Sequence, residues 1–208
     1  MTNVYERYVL PRLINRVMQR KTDTAERAHF IPRASGTVLE IGAGSGLNMP
    51  FYGPEVERFY AVDPSVELWA MAKPRLVNVR FPVEFLPVSA EQIPLPDGSV
   101  DTVVSTWTLC SIPDPDRALR ELKRVLRPSG VFIFVEHGRS PDRRVEAWQN
   151  WLNPMWTRVA GGCNLNRSVD QLIERAGFRI TELERGYNGQ PRPFTFTFKG
   201  VAARNGRI

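Results

Sequence analysis

Apolar residues along this chain fall into short runs, separated by turn residues and by stretches with helical spacing. Runs at 38–41, 59–62, 81–86, 100–105 and 131–135 are rich in Val, Ile, Leu and Phe, the composition of strands buried on both faces. Two later runs, about 178–184 and 195–202, predict further strands. Between them the period changes. Pro11 suits the first position of a helix that puts Leu13, Ile14, Val17 and Met18 on one face and Arg12, Arg16, Gln19 and Arg20 elsewhere. Residues 47–52 predict a brief turn that buries Met49 and Phe51. Ser65 is suited to cap a helix over 66–72 that Pro74 ends or kinks. Asp114-Pro115-Asp116 starts a helix to about 126 with Ala118, Leu119, Leu122 and Val125 inward, stopped by Pro128-Ser129-Gly130. Over 144–160 Pro154 is expected to break the chain into two helices, with Trp148, Trp151 and Trp156 mainly in the core. Ser168 and Gln171 pair as a capping box for a helix closed by Gly177.

This alternation predicts an α/β fold with a doubly wound, mostly parallel sheet in a single domain, 1–208. Residues 1–30 form an N-terminal helical lid in this reading, with Tyr5 and Tyr8 as lid contacts, and 140–176 a helical cover over the substrate. Ligands of such sheets sit at the carboxyl ends of the strands. That rule gathers 42–46, Asp63, 89–91, 106–108 and Glu136-His137 on one rim.

The most informative stretch ends the first strand: Thr37-Val38-Leu39-Glu40-Ile41-Gly42-Ala43-Gly44-Ser45-Gly46. Gly42, Gly44 and Gly46 allow a sharp bend that brings bare backbone close to a ligand. A dinucleotide fingerprint is G-x-G-x-x-G. Here the third glycine arrives one residue early and Glu40 stands two before the first. That pattern suits a ligand carrying a carboxylate and an ammonium, of which S-adenosylmethionine is one. Asp63 closes the next strand, where a carboxylate accepts hydrogen bonds from ribose hydroxyls.

Bulk properties narrow the class. The 208 residues are 42% hydrophobic and 24% charged, values of a soluble globular domain, and no apolar run has the length of a membrane span. No signal-peptide core is present, so the cytoplasm is the expected compartment. The net charge of +6 comes from 28 Lys+Arg against 22 Asp+Glu, but the arginines are scattered. A solvated surface is preferred over a nucleic-acid partner, and peripheral membrane contact through the basic N-terminal helix is the less favoured alternative. Cys110 and Cys163 show no metal-site spacing and are read as structural thiols, so no metal is expected.

Together these motifs resemble the class I S-adenosylmethionine-dependent methyltransferases, small-molecule type, over nearly the whole chain. The glycine motif at 38–46, the acid Asp63, the segment Ser89-Ala90-Glu91-Gln92-Ile93-Pro94 (the family's D-A-E-x-L-P, with serine in place of aspartate) and the stretch at 121–130 carry the likeness. Residues 105–112, Glu136-His137, Trp148-Gln149, Trp156 and Gly162-Cys163-x-Leu165-Asn166-Arg167 are similar to the group that includes membrane-associated alkyl thiol methyltransferases. Those carry a hydrophobic N-terminal anchor that this sequence lacks. The resemblance implies a seven-stranded sheet with one antiparallel strand near its edge. It implies S-adenosylmethionine as cofactor and S-adenosylhomocysteine as product, with Glu40, Gly42, Ala43, Gly44, Gly46, Asn48, Asp63, Pro64, Ser89, Ala90, Glu91, Ser105 and Thr106 in its site.

For the reaction itself, His137, Trp107 and Thr108 are the candidates. His137 either accepts the substrate proton or shapes the pocket through backbone hydrogen bonds. Trp107 either walls the substrate or packs. His29 is expected to be structural or exposed. The acceptor is a small, partly apolar molecule, a thiol among the candidates. A quinone precursor, a lipid headgroup and a non-catalytic cofactor-binding role stand as alternatives.

Overall fold

The computed structural model describes residues 4–205 of the chain. Seven strands form one sheet: β1 (Gly36–Ile41), β2 (Val56–Val62), β3 (Val83–Leu86), β4 (Val100–Thr106), β5 (Leu126–His137), β6 (Phe178–Tyr187) and β7 (Phe196–Arg204). Their order across the sheet is β3-β2-β1-β4-β5-β7-β6, and β7 runs antiparallel to both its neighbours. The other neighbouring pairs are parallel, as the run-and-helix alternation predicts.

Each central strand feeds two cores. Leu39 and Ile41 of β1 and Phe132 and Phe134 of β5 face one side. There they meet Ala118, Leu119, Leu122 and Val125 of α5 (Pro115–Val125) and Val169, Leu172 and Ile173 of α7 (Val169–Arg175). Val38, Ala61, Val104, Ile133 and Val135 face the other, against Phe30 at the end of α2 (Lys21–Phe30), Ile31 and Met49. Burial on both faces is why these strands read as continuous apolar runs. Registers align the carboxyl ends: Ile41 sits beside Val62 and Ser105, and Thr106 beside Val135. Four strand ends therefore open onto one rim.

Helix α1 (Leu10–Val17) packs against α3 (Val66–Ala70), which follows Asp63. The Tyr5 hydroxyl donates to the Val159 carbonyl at 2.7 Å, joining the N-terminal segment to α6 (Arg143–Val159). Ser65 caps α3 by accepting from the Leu68 amide, as predicted. A short helix, α4 (Lys73–Leu76), follows, with Pro74 at its start.

Several sequence expectations are corrected. Helix α6 runs unbroken through Pro154. Proline removes the hydrogen bond to the carbonyl four residues back, that of Asn150, and Asn150 is exposed, so water can satisfy the freed oxygen. Trp148 and Trp151 are not core: they are 57% and 70% exposed, because α6 docks instead through Val145 and Gln149. The Gln149 amide bridges the Gly138 and Pro193 carbonyls at 3.0 Å each and accepts from the Ser140 amide. Ser168 makes no capping hydrogen bond, so the capping box does not form. The 3₁₀ turn at Met49–Phe51 buries Met49 as expected and Phe51 only in part. β5 begins at Leu126, straight from α5, so Pro128-Ser129-Gly130 is an irregular strand edge and not a turn. Leu13 and Val17 of α1 face solvent, and His29 is exposed, one of its two expected placements.

Candidate active site

At the end of β1 the chain bends because Gly42 has φ 63°, a backbone conformation costly for any residue with a Cβ. A Cβ on Gly42 would also lie 2.1 Å from Thr108 Oγ1, so the turn and the loop after β4 are in direct contact. Gly44 differs. A Cβ there would lie 3.7 Å from the Gly42 carbonyl and 4.0 Å from Asp63 Oδ2, in space that borders the carboxylate. Bare backbone thus leaves room in front of Asp63. The Gly44 amide donates to Asp63 Oδ2 at 2.9 Å and the Ser65 amide to Oδ1 at 2.7 Å. Each oxygen keeps acceptor capacity for a further donor. Burial raises the Asp63 pKa above the usual carboxylate range, against the two amide bonds that favour the anion. Ala43 is buried behind the turn and Pro64 is exposed beside Asp63.

Glu40 is buried beneath the turn. Its Oε1 accepts from Asn48 Nδ2 at 2.8 Å and its Oε2 from the Tyr52 hydroxyl at 2.7 Å. Asn48 Nδ2 also reaches Thr106 Oγ1 at 3.0 Å, and Asn48 Oδ1 accepts from Arg27 Nε at 2.9 Å. Desolvation pushes the Glu40 pKa up to about 8, because the hydrogen bonds and Arg27 offset only part of it. Arg27 itself is buried, donates to the Met18 carbonyl at 2.8 Å and lies 4.7 Å over the Trp107 ring. Through Arg27, the N-terminal helices are tied into the floor of the rim. Sequence reasoning missed Arg27 and Tyr52. An arginine in an otherwise polar helix carries no linear signal of burial.

The loop after β4 is organised by Glu136. Its Oε1 accepts from Ser105 Oγ at 2.6 Å and from the Thr108 and Leu109 amides at 3.0 and 3.1 Å. Ser105 is fully buried and its hydroxyl is committed to Glu136, so its side chain supports the loop from below. Glu136 Oε2 is buried with no hydrogen-bond partner among the described residues, and burial raises this carboxyl to about 7. Trp107 holds φ 51°, the only positive value for a non-glycine among the described residues. Such strain concentrates where surrounding contacts over-determine the backbone. Here its amide is pinned to the Val135 carbonyl at 2.8 Å. Ser89 and Glu91 are bonded to each other, Ser89 Oγ to Glu91 Oε2 at 2.7 Å, and Glu91 Oε1 accepts from the Asp114 amide at 2.7 Å. Ala90 is buried between them.

His137 closes β5 and its Nε2 lies 3.0 Å from Cys163 Sγ. Cys110, two residues past Thr108, joins them: one ligand atom from each of the three lies within 4.8 Å of the others. Both cysteines are free and buried, as a structural-thiol reading allows, and the structure also brings them beside His137, linking three parts of the chain too far apart for spacing to reveal. A hydrogen bond from Cys163, against burial, and the neighbouring His137 hold the Cys110 thiol well below its ordinary pKa. Burial pushes the His137 imidazolium down, and Cys110 with Glu136 and Asp23 outweighs it, so the ring's pKa is raised.

Residues 39–134 match a methyltransferase domain family. The human thiol S-methyltransferase TMT1B is 36% identical over 186 residues, 86% of this chain and 74% of that protein. The chain belongs to the class I S-adenosylmethionine-dependent methyltransferases. The phosphatidylethanolamine N-methyltransferase of Cereibacter sphaeroides is 35% identical over 112 residues, 53% of this chain and 54% of that protein. The crystal structure of YcgJ from Bacillus subtilis superposes with a TM-score of 0.66 at 20% identity, covering 84% of this chain and 94% of that one, a likeness of fold. Across the rat, human and mouse thiol S-methyltransferases the chain covers 64–75% of their length, 64% for rat TMT1B. No helix among the described residues is long and apolar enough to cross a membrane.

Proposed function

We propose that this protein transfers the methyl group of S-adenosylmethionine to a small, partly apolar acceptor, with a thiol as the preferred class. The observation that carries the reading is the glycine turn itself: at Gly44 even an added Cβ would meet nothing closer than 3.7 Å, beside the Asp63 carboxylate, whose two oxygens each retain a lone pair. When bound, S-adenosylmethionine supplies an activated methyl on a sulfonium. The chain's own residues bind and orient. Asp63 accepts from the ribose hydroxyls, and the backbone of 42–46 cradles the amino-acid end. Glu40, held by Asn48 and Tyr52, braces the turn from beneath, and Ala90 with Glu91 borders the adenine. Trp107, strapped to Arg27 and to the Val135 carbonyl, forms one wall for the acceptor, and Thr108 packs against Gly42 to fix the distance between loop and turn. The N-terminal segment, held by Tyr5 and Arg27, acts as the lid.

A thiol acceptor is supported by the 36% identity to a thiol S-methyltransferase. It also suits the chemistry, because a thiol supplies some thiolate near neutral pH without a strong base. The two free cysteines suit a reducing compartment, and the cytoplasm is proposed. One observation favours a second reading, an acceptor drawn from a membrane. Trp148, Trp151, Met155 and Val159 on α6 and Leu13 and Val17 on α1 are exposed together with the basic residues of both helices. The test is calorimetric titration with S-adenosylmethionine, followed by labelled-methyl transfer to a thiol, a phenol, an amine and a vesicle-embedded quinone precursor. Transfer to the thiol at the highest kcat/KM is expected. Absence of cofactor binding overturns the reading, and preferential transfer to the vesicle-borne acceptor replaces it with the second.

A further inference from the structure

The Cys110–His137–Cys163 group has the makings of a centre that neither the fold nor the methyl-transfer reading requires. Its members come from the loop after β4, the last residue of β5 and the segment between α6 and α7. The segments are fastened to one another. Asn164 donates from its backbone and from its side chain to the Cys110 carbonyl, at 2.8 and 3.0 Å. Arg167 donates to the Leu109 and Ile112 carbonyls on either side of Cys110. Gly162 permits the approach, since a Cβ there would meet the Ser111 carbonyl at 3.1 Å. The sulfurs also have outer partners: Trp156 Nε1–H donates to Cys163 Sγ at 3.2 Å, and Ser111 Oγ lies 3.5 Å from Cys110 Sγ. Donors of this kind orient a thiolate and tune it as a ligand.

Two thiolates and an imidazole select a borderline-soft cation such as zinc over magnesium or calcium. In a tetrahedral zinc site, bonds of ≈ 2.3 Å to sulfur and ≈ 2.0–2.1 Å to nitrogen set ligand atoms about 3.5–3.8 Å apart. The Cys163–His137 pair, at 3.0 Å, would open slightly, and the other two separations already lie under 4.8 Å. Two thiolates neutralise a divalent charge.

We propose that Cys110, His137 and Cys163 bind one zinc ion, whose fourth position takes the sulfur of the methyl acceptor. Metal binding stands apart from the function proposed above; the acceptor's place on it rests on that reading. The acceptor thiol loses its proton to solvent on coordinating. Its sulfur then forms the bond to the methyl, and the bond from that methyl to the cofactor's sulfonium breaks, its electron pair leaving a neutral thioether on the cofactor. The methylated acceptor, now itself an uncharged thioether, is a weak ligand and yields its position to the next thiol. Atoms and charge balance, and no redox partner is needed.

The full chain is purified under reductant, freed of metal with a chelator, shown to have both thiols reduced, and titrated with cobalt(II). One equivalent is expected to bind, giving the visible bands of a tetrahedral centre and a near-ultraviolet thiolate charge-transfer band, both lost on adding zinc. Cys110→Ser and Cys163→Ser weaken the charge-transfer band and the binding. Trp156→Phe keeps the bands and lowers affinity on the order of 10-fold. His137→Ala weakens the binding, and His137→Cys, which restores three ligands, binds with a stronger charge-transfer band and covers the case in which the alanine variant does not fold. No saturable binding, or identical binding in Cys163→Ser, overturns the site. A small alkyl thiol added to the cobalt protein shifts the visible bands and a phenol or amine does not; unchanged bands overturn the acceptor's place on the metal. Calorimetry with S-adenosylmethionine on the same sample reads the preceding proposal separately.

Discussion

Glu40→Gln tests whether the acid beneath the glycine turn is held as a neutral carboxyl. Burial moves the Glu40 pKa from 4.5 in the unfolded chain to about 8 in the folded protein. Between those values the native state holds a proton that the unfolded state has released, so stability falls as pH rises through the window. Below the unfolded pKa the contribution is fully present, and above about pH 8 the loss is complete. At about 1.4 kcal/mol per pH unit the full displacement corresponds to about 5 kcal/mol. Glutamine has the shape of the protonated acid: its Oε1 can accept from Asn48 and its Nε2 can donate to the Tyr52 oxygen, keeping both bonds that Glu40 makes. The other shifted carboxyls, Asp23, Asp63, Glu121, Glu136 and Glu182, are present in both proteins and cancel in the difference. Urea unfolding followed by tryptophan fluorescence, with a constant m-value, gives the free energies. The variant's advantage over the parent is expected to widen steadily from pH 4.5 towards pH 8. Parallel curves would refute the buried-neutral assignment, and a widening in the opposite direction would show that Arg27 dominates the site.

Three further perturbations probe the rest of the rim. Asp63→Ala removes the acceptor for the Gly44 and Ser65 amides and the proposed ribose contact; a loss of about 1.5–3 kcal/mol in S-adenosylmethionine binding, the range for a charge-assisted hydrogen bond, is expected by calorimetry, and unchanged affinity counts against its role. Gly42→Ala puts a Cβ 2.1 Å from Thr108 Oγ1 at φ 63°, so a cost of about 2–4 kcal/mol is expected in chemical denaturation; adding Thr108→Gly recovers the packing part and leaves about 1–2 kcal/mol from the backbone. Arg27→Met leaves the buried Asn48 oxygen unpaired and frees the Met18 carbonyl, so limited proteolysis of the N-terminal helices is expected to accelerate; unchanged cleavage rates would remove Arg27 as the strap.

How much the sequence reveals depends on the range of the interaction. β1 and β4 were legible because both faces of each strand are buried by their own residues, and composition alone records that. The glycine turn was legible because its constraint is local: a positive φ and a bare backbone leave a mark at one position. α6 was misjudged for the same reason in reverse. Pro154 is a local breaker, but whether the freed carbonyl of Asn150 meets water is decided by where the helix sits on the sheet. Trp148 and Trp151 look like core by residue type, yet Gln149 docks the helix through three hydrogen bonds, and the indoles on its far side are turned outward.

The rim was predicted as a set of strand ends, and the strand registers make it one. What the sequence leaves unspecified is which of its residues support the others. Glu136 gathers Ser105, Thr108 and Leu109 on one oxygen, and that hub sets the path of the chain from Trp107 to Cys110. The same path brings Cys110 beside His137, the residue after Glu136, and beside Cys163. Thus one buried carboxylate both presses Thr108 against Gly42 and aims a thiol at an imidazole. A loop braced in this way holds the cofactor turn and the sulfur–imidazole group in fixed relation, which in-line transfer between two bound molecules demands, because a misplacement of about 1 Å is enough to cost on the order of 100-fold in rate. Loosening Glu136 should therefore disturb the cofactor turn and the Cys110 environment together, although neither is bonded to the other.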